Sequence, residues 1–220
     1  RMNAGNSGRT RRMVGEGVGG GAARRGCRPP RRAIICGARS TRKPARRPMP
    51  RRSGSVPAQD TVAKQSILFV CLGNICRSPT AEGVFRARAV RAGLAGQLEI
   101  DSAGTGDWHV GQPPDRRAIA AAASRGYDLG GLRARQVAAD DFHRFGWILA
   151  MDQANLRDLA ALRPRAFTGH LGLFLDVAPQ LDVREVPDPY YGGADGFERV
   201  LDLIETASDA LLERVTARSR

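Results

Sequence analysis

The sequence predicts an α/β domain in three layers, a central four-stranded parallel sheet flanked by helices, preceded by a basic extension. Three observations predict it. Short apolar runs alternate with helical patterns from residue 66 onward, the most apolar of them ends in a glycine-containing loop, and charge divides near residue 60. Alternation of strands and helices implies a parallel sheet with right-handed crossovers.

The elements follow in order. Ile67-Leu68-Phe69-Val70 is a β-branched and aromatic run of the kind found in a strand buried on both faces. Ser78 and Pro79 read as N-cap and first residue of the next helix, because serine accepts from an orphan amide and proline has none to lose. Ala81, Val84, Phe85 and Ala89 supply its inner stripe. Leu98 to Gly104 predicts a second strand, and Pro113-Pro114-Asp115 opens an alanine-rich helix that stops near Gly126. Trp147 to Met151 predicts a third strand, followed by a helix from Asp152 to about Leu162. Leu171 to Val177 is a weaker fourth. The last helix opens with Asp195 as cap and Glu198 three residues on, then places Phe197, Val200, Leu201, Ile204, Leu211, Leu212 and Val215 along one face.

Residues 1–60 hold 16 Lys+Arg against 2 Asp+Glu, net +14, whereas residues 61–220 hold 19 against 20, net −1. The high isoelectric point therefore belongs to the extension. Residues 1–63 are rich in Gly, Pro and Arg with almost no periodic apolar pattern, a composition that predicts disorder. Counterion release would let such an arm bind nucleic acid or an anionic membrane, but nothing in its patterning points to a partner. Gly15 to Gly20 matches a dinucleotide fingerprint in letters alone, with no strand before it and no helix after. Arg11-Arg12 lacks the apolar stretch of an export signal. Met2, Met13 and Met49 follow Arg1, so a later start would leave part of the extension untranslated. Residues 64–218 suit one domain. No run approaches the 18 or so apolar residues of a membrane span. Four cysteines in two uneven pairs form neither a disulfide framework nor a zinc spacing, which points to a reducing cytoplasm.

The chemistry concentrates in Cys71-Leu-Gly-Asn-Ile-Cys76-Arg77-Ser78. Its Cys-(five residues)-Arg spacing alone is weak evidence, since chance supplies it about 0.6 times in a chain this rich in arginine. Cys36 to Arg42 repeats the spacing without a strand before it or a helix after it. Context separates the two. At Cys71 the loop leaves the carboxyl end of a buried strand and enters a helix N-terminus, where anions are favoured by free amides and the macrodipole. Amides, Ser78 and Arg77 would hold the Cys71 sulfur as thiolate, the nucleophilic form. Arg77 offers a planar fork for two phosphate oxygens, Gly73 admits close backbone approach, and Asn74 tolerates the left-handed conformation that turns amides inward. Asp188-Pro-Tyr190-Tyr191-Gly-Gly is a loop in which a carboxyl group stands beside two tyrosines. Placed at a leaving oxygen, that carboxyl would protonate it and later activate water.

Four ordered blocks, CLGNICRSP, DSAGTGDWHVGQPPD, MDQANL and DPYYGG, resemble the low-molecular-weight protein tyrosine phosphatase family across roughly residues 65–216. The resemblance implies Cys71 as nucleophile, a phosphate cradle of Leu72, Gly73, Asn74, Ile75, Cys76 and Ser78 with Arg77 as chief ligand, and Asp188 as general acid. It implies Trp108, Tyr190 and Tyr191 around the substrate ring, phosphotyrosine or a small aryl phosphate as substrate, and no cofactor. Leu132 stands where the family usually has a histidine, which predicts weaker support for Asn74. Ile75 in place of threonine argues against the phosphoarginine-hydrolysing branch, the alternative of the same chemistry. Another alternative is a phosphate-binding protein with a nucleic-acid-binding tail. Arsenate reduction on the same fold requires cysteines beyond Cys76, and none follows. Cys76 has two readings, a small packing residue or a redox partner that forms a disulfide with Cys71. His109, His143 and His170 show no partner spacing, although His109 beside Trp108 is placed to touch substrate.

Overall fold

The computed structural model describes residues 65–217. The expectations for residues 1–63, disorder and a nucleic-acid or membrane partner among them, lie outside the described residues, as does the second Cys-(five residues)-Arg match. Among the described residues four strands, β1 (Gln65–Cys71), β2 (Leu98–Gly104), β3 (Trp147–Ala150) and β4 (His170–Leu173), form one sheet of order β2-β1-β3-β4. Every pairing is parallel. Among the described residues five α-helices flank it: α1 (Arg77–Arg91), α2 (Arg116–Ser124), α3 (Asp141–Arg144), α4 (Gln153–Leu162) and α5 (Ala194–Ala217).

Period-two alternation along the two central strands feeds two cores. Ile67 and Phe69 of β1, with Trp147 and Leu149 of β3, face the cluster completed by Val84 and Phe85 of α1 and Val200, Ile204 and Leu211 of α5. Leu68, Val70, Ile148 and Ala150 face the opposite side, toward Phe142 and Leu159. The expected three layers follow directly. Phe69 is fully buried and meets Phe85 and Phe174 edge-on, with centroids 5.7 and 4.9 Å away. Burying such a ring contributes roughly 1.5–3 kcal/mol, and each edge-to-face pair adds about 0.5–1.5 kcal/mol.

Several boundaries differ from expectation for identifiable reasons. Ser78 is the second residue of α1, not its cap; Cys76 occupies the cap position without a side-chain bond. The Ser78 hydroxyl is committed elsewhere, to the thiol and amide of the loop. The fourth strand ends at Leu173, and Phe174–Val177 turns into a 3-10 helix. A continued strand would send Phe174 and Leu175 to opposite faces, whereas the tight turn puts Phe174, Leu175 and Val177 into one core. Asp195 lies inside α5, and Glu198 pairs with Arg125 at 2.6 Å instead of closing a capping box. Asp115 and Asp152 do cap their helices, accepting from Arg117 N and Asn155 N. Among the described residues no helix is long and apolar enough to cross a membrane.

Candidate active site

The loop between β1 and α1 curls because its carbonyls find partners on the outside. Cys71 O accepts from Thr105 N, Leu72 O from Gly106 N, Ile75 O from Asp115 N and Cys76 O from Thr80, at 2.7–3.3 Å. With the carbonyls facing outward, amides are left to face inward. Asn74 makes the turn in the left-handed region, φ 53°, and donates its backbone N–H to Cys71 Sγ at 3.3 Å. Ser78 Oγ lies 3.0 Å from the same sulfur. Cys71 is 2% exposed, at the floor of a cavity of about 300 Å3.

Asn74 is buried with its whole amide group engaged. Nδ2 donates to Ser78 Oγ and Ser102 Oγ, both at 2.9 Å, and Oδ1 accepts from the backbone N–H of Arg135 at 2.9 Å. Ser102 in turn donates to Glu82 at 2.6 Å, and burial raises the Glu82 carboxyl above its ordinary value although Ser102 and Arg86 pull the other way. Leu132, the position expected to weaken the support of Asn74, takes no part in these bonds. Leu132 packs against the apolar core, and Arg135 and Ser102 hold Asn74 without a side chain from position 132.

Arg77, first residue of α1, is 3% exposed. Nη1 donates to Asp152 at 2.6 Å and to Val186 O at 3.2 Å, and Nη2 donates to Asp188 at 2.9 Å. Burial alone would lower the guanidinium pKa, but Cys71, Asp188 and Asp152 together raise it. Its charge is permanent. Asp188 also accepts from Tyr190 N at 3.1 Å. Asp152, where the sequence predicts only the start of a helix, makes the shortest of these contacts with Arg77.

The cavity is lined by Cys71, Leu72, Gly73, Ile75, Cys76, Arg77, Trp108, His109, Asp188, Tyr190 and Tyr191. Every residue expected to cradle phosphate, except the buried Asn74 and Ser78 that brace it, therefore reaches one space. Trp108 and Tyr190 form the mouth. Tyr191 is 94% exposed and meets Tyr190 edge-on at 5.0 Å, so it rims the cavity more than it encloses it. Arg117 stacks over Tyr190 at 5.4 Å and donates to its carbonyl at 3.0 Å, a support with no sequence signal. The His109 ring lies against Gly73, where an added Cβ would come within 3.0 Å of its Cδ2. Cys76 keeps a free thiol, as does Cys71. Burial first, then the charges of Asp115, Cys71 and Asp188, push the Cys76 thiol up to about 12. Among the described residues no His, Cys, Asp and Glu group is arranged to hold a metal ion.

A parallel sheet carrying a thiol, an arginine and a carboxyl group at one loop cluster is a framework that suits a phosphoric monoester hydrolase. The chain belongs to the low molecular weight phosphotyrosine protein phosphatase family, whose model matches residues 66–220. It is 47% identical over 152 residues to a low molecular weight protein-tyrosine-phosphatase of Streptomyces coelicolor, covering 68% of this chain and 92% of that one. A Bacillus subtilis low molecular weight protein-tyrosine-phosphatase, YfkJ, is 43% identical over 150 residues, 68% of this chain and 95% of its own. The crystal structure of YfkJ superposes with a TM-score of 0.67 over 71% of this chain and 97% of that one. A protein tyrosine phosphatase from Entamoeba histolytica, solved with Hepes in its active site, gives 0.67 at 38% identity, over 71% and 99% of the two chains. The chain is thus an enzyme of the protein-tyrosine-phosphatase class.

Proposed function

We propose that this enzyme hydrolyses phosphotyrosine and small aryl phosphates through a phosphocysteine on Cys71. The observation that carries the reading is the convergence of the Cys71 sulfur, the Arg77 fork and the Asp188 carboxyl group on one cavity with an aromatic mouth. The Cys71 thiolate attacks phosphorus, forming an S–P bond as the P–O bond to the aryl group breaks. Asp188 gives its proton to the departing phenolate, whose conjugate acid has a pKa of about 10. Water then attacks phosphorus, Asp188 takes its proton, and the S–P bond breaks to release phosphate and regenerate the thiolate. Arg77 and the inward amides of Leu72 to Ser78 neutralise the three equatorial oxygens, where the charge of the transition state spreads. Substrate takes over the Arg77 donor now given to Asp188, which frees the acid to turn to the leaving oxygen.

Trp108, Tyr190 and Tyr191 suit a flat aryl group by offset or edge-on contact. Two free thiols in the loop suit a reducing cytoplasmic setting, in which Cys76 serves as the partner of an oxidised Cys71. Turnover of p-nitrophenyl phosphate labelled with 32P, stopped with acid, tests the mechanism. Label on the Cys71 peptide is expected, and Cys71→Ser should be inert. Label on any other side chain, or activity in Cys71→Ser, overturns it.

A further inference from the structure

Besides Ser78 of its own loop, the left-handed Asn74 is held by two residues from elsewhere in the chain, and one carboxylate ties those two together. Ser102 takes the Nδ2 end of the amide and Arg135 N–H takes the Oδ1 end. Asp101 accepts from Ser102 N at 2.8 Å through one oxygen and from the Arg135 guanidinium at 3.0 Å through the other. Asp141, 5% exposed, grips the opposite side of that guanidinium with both oxygens, at 3.0 and 3.1 Å, and also accepts from Ala138 N at 2.9 Å. The Arg135 peptide itself is fixed on both sides, since its carbonyl accepts from Gly104 N at 2.8 Å. Gly104 closes the end of β2, where the chain leaves the sheet for the segment that bears Trp108 and returns at Gln136 to bridge Gly104.

We propose that Arg135, clamped between Asp101 and Asp141, is a positioning residue for the phosphate-binding loop. The inference rests on the phosphatase reading of the cavity. Asparagine tolerates the left-handed region better than other non-glycine residues, yet it keeps one fixed geometry there only where its surroundings hold it. The Arg135 N–H is the contact that fixes the acceptor end of the Asn74 amide, and the two carboxylates fix where that N–H stands. Loosening the guanidinium lets Asn74 relax toward negative φ, which turns its backbone N–H away from Cys71 Sγ and opens the ring of amides. Arg135 touches neither substrate nor sulfur.

The test compares Arg135→Met with Arg144→Met in the full chain. Arg144 pairs with Glu99 at 2.6 Å and Asp101 at 3.6 Å on the same sheet edge but is not bonded to Asn74. Inorganic phosphate affinity by calorimetry, kcat for p-nitrophenyl phosphate, thermal midpoint and the side-chain amide resonances of Asn74 are read for each. Arg135→Met is expected to weaken phosphate binding and lower kcat by about tenfold each, the scale of a lost charge-assisted contact, and to shift the Asn74 amide signals. Arg144→Met should lose stability and keep both within about twofold, as a rim pair does. Arg135→Lys, which restores charge without the two-sided fork, should fall between wild type and Arg135→Met. Should Arg135→Met fail to fold, Asp101→Asn, which keeps the Ser102 acceptor and drops the charge, should still weaken phosphate binding severalfold. Normal phosphate affinity and kcat in a destabilised Arg135→Met, or in Asp101→Asn where the former does not fold, overturn the proposal. If wild type neither binds phosphate nor turns over, the phosphatase reading fails. The Asn74 resonances then decide alone, unshifted signals in the variant overturning the clamp and shifted ones supporting it.

Discussion

Cys76 and Cys71 sit in the same loop yet differ in environment. Burial, then Asp115, Cys71 and Asp188, hold the Cys76 thiol at about 12, so it stays protonated throughout the neutral range. Cys76 is consequently a poor nucleophile. Iodoacetate at pH 7 is expected to carboxymethylate Cys71 and spare Cys76, read by peptide mass mapping; labelling of Cys76 first would contradict the assignment. Mild peroxide should convert Cys71 to a sulfenic acid, which the neighbouring Cys76 thiol condenses with, releasing water and leaving a disulfide that thiols reduce. Cys76→Ser removes that route. Its peroxide inactivation should become irreversible, and full recovery with dithiothreitol would refute the pairing. Asp188→Asn belongs to the same loop cluster: a lost proton donor should slow esters of high leaving-group pKa about a hundredfold or more and aryl phosphates of low pKa far less, measured as a series of kcat/KM values. Cys71, Arg77 and Asp188 could be read from the chain because each stands in a motif with its own local context. Asp152, Ser102 and Arg135 could not, since their partners lie 75, 28 and 61 residues away and only folding brings them together.

The secondary elements set the geometry that these residues need. β2 stops at Gly104, where an added Cβ would stand 2.8 Å from Leu72 O and 3.1 Å from Asn74 N. Both neighbours are backbone of the phosphate loop and cannot yield without opening it. Gly104→Ala is expected to cost about 1–3 kcal/mol in urea unfolding, the usual range for overpacking, and to lose phosphate stabilisation as well. A variant equally stable, with the wild-type rise in midpoint on adding phosphate, would show that the loop tolerates the contact. Short apolar runs before a glycine-containing loop or a helix start mark β1 and β3, alternation from Leu98 to Ile100 marks β2, and the bounds agree within two residues for all three. Helix ends were harder. Serine at a helix start ordinarily caps, but here the hydroxyl bonds the loop, and the cap position passes to Cys76. α3 has four residues and no periodicity to detect, although it delivers Asp141 to the Arg135 clamp. The run through Val177 looked like strand because composition cannot distinguish alternation from a tight turn that buries three neighbours on one side.

Across the whole domain, apolar clusters lie on both faces of one sheet, and ionisable groups buried in them link pH to global stability. Cys76 beside the loop and Tyr127 against α5 are both held protonated. Tyr127 is raised by burial and then by its hydrogen bond to Glu205, at 2.6 Å. A group whose folded pKa lies above its unfolded one stabilises fully below the unfolded value and loses that contribution as pH rises toward and through the folded value. The unfolded chain releases these protons from 9.0 for the thiol and 10.0 for the phenol, while the folded chain retains the thiol proton to about 12. Stability must therefore fall through that window, in reducing buffer so that disulfide formation does not intervene. The thermal midpoint is expected to be flat with respect to these two groups from pH 7 to about 8.5 and to decline above about 9. Cys76→Ser should flatten the decline from about pH 9 up to about 12, and Tyr127→Phe should remove a further part that begins near 10, each variant removing one proton from the linkage. Equal slopes in wild type and Cys76→Ser would mean that the thiol ionises in the folded protein as readily as in the unfolded chain. The polar loop and the apolar core would then be electrostatically independent, and the burial of Cys76 between α2 and α5 would have no bearing on how the phosphate loop resists alkali.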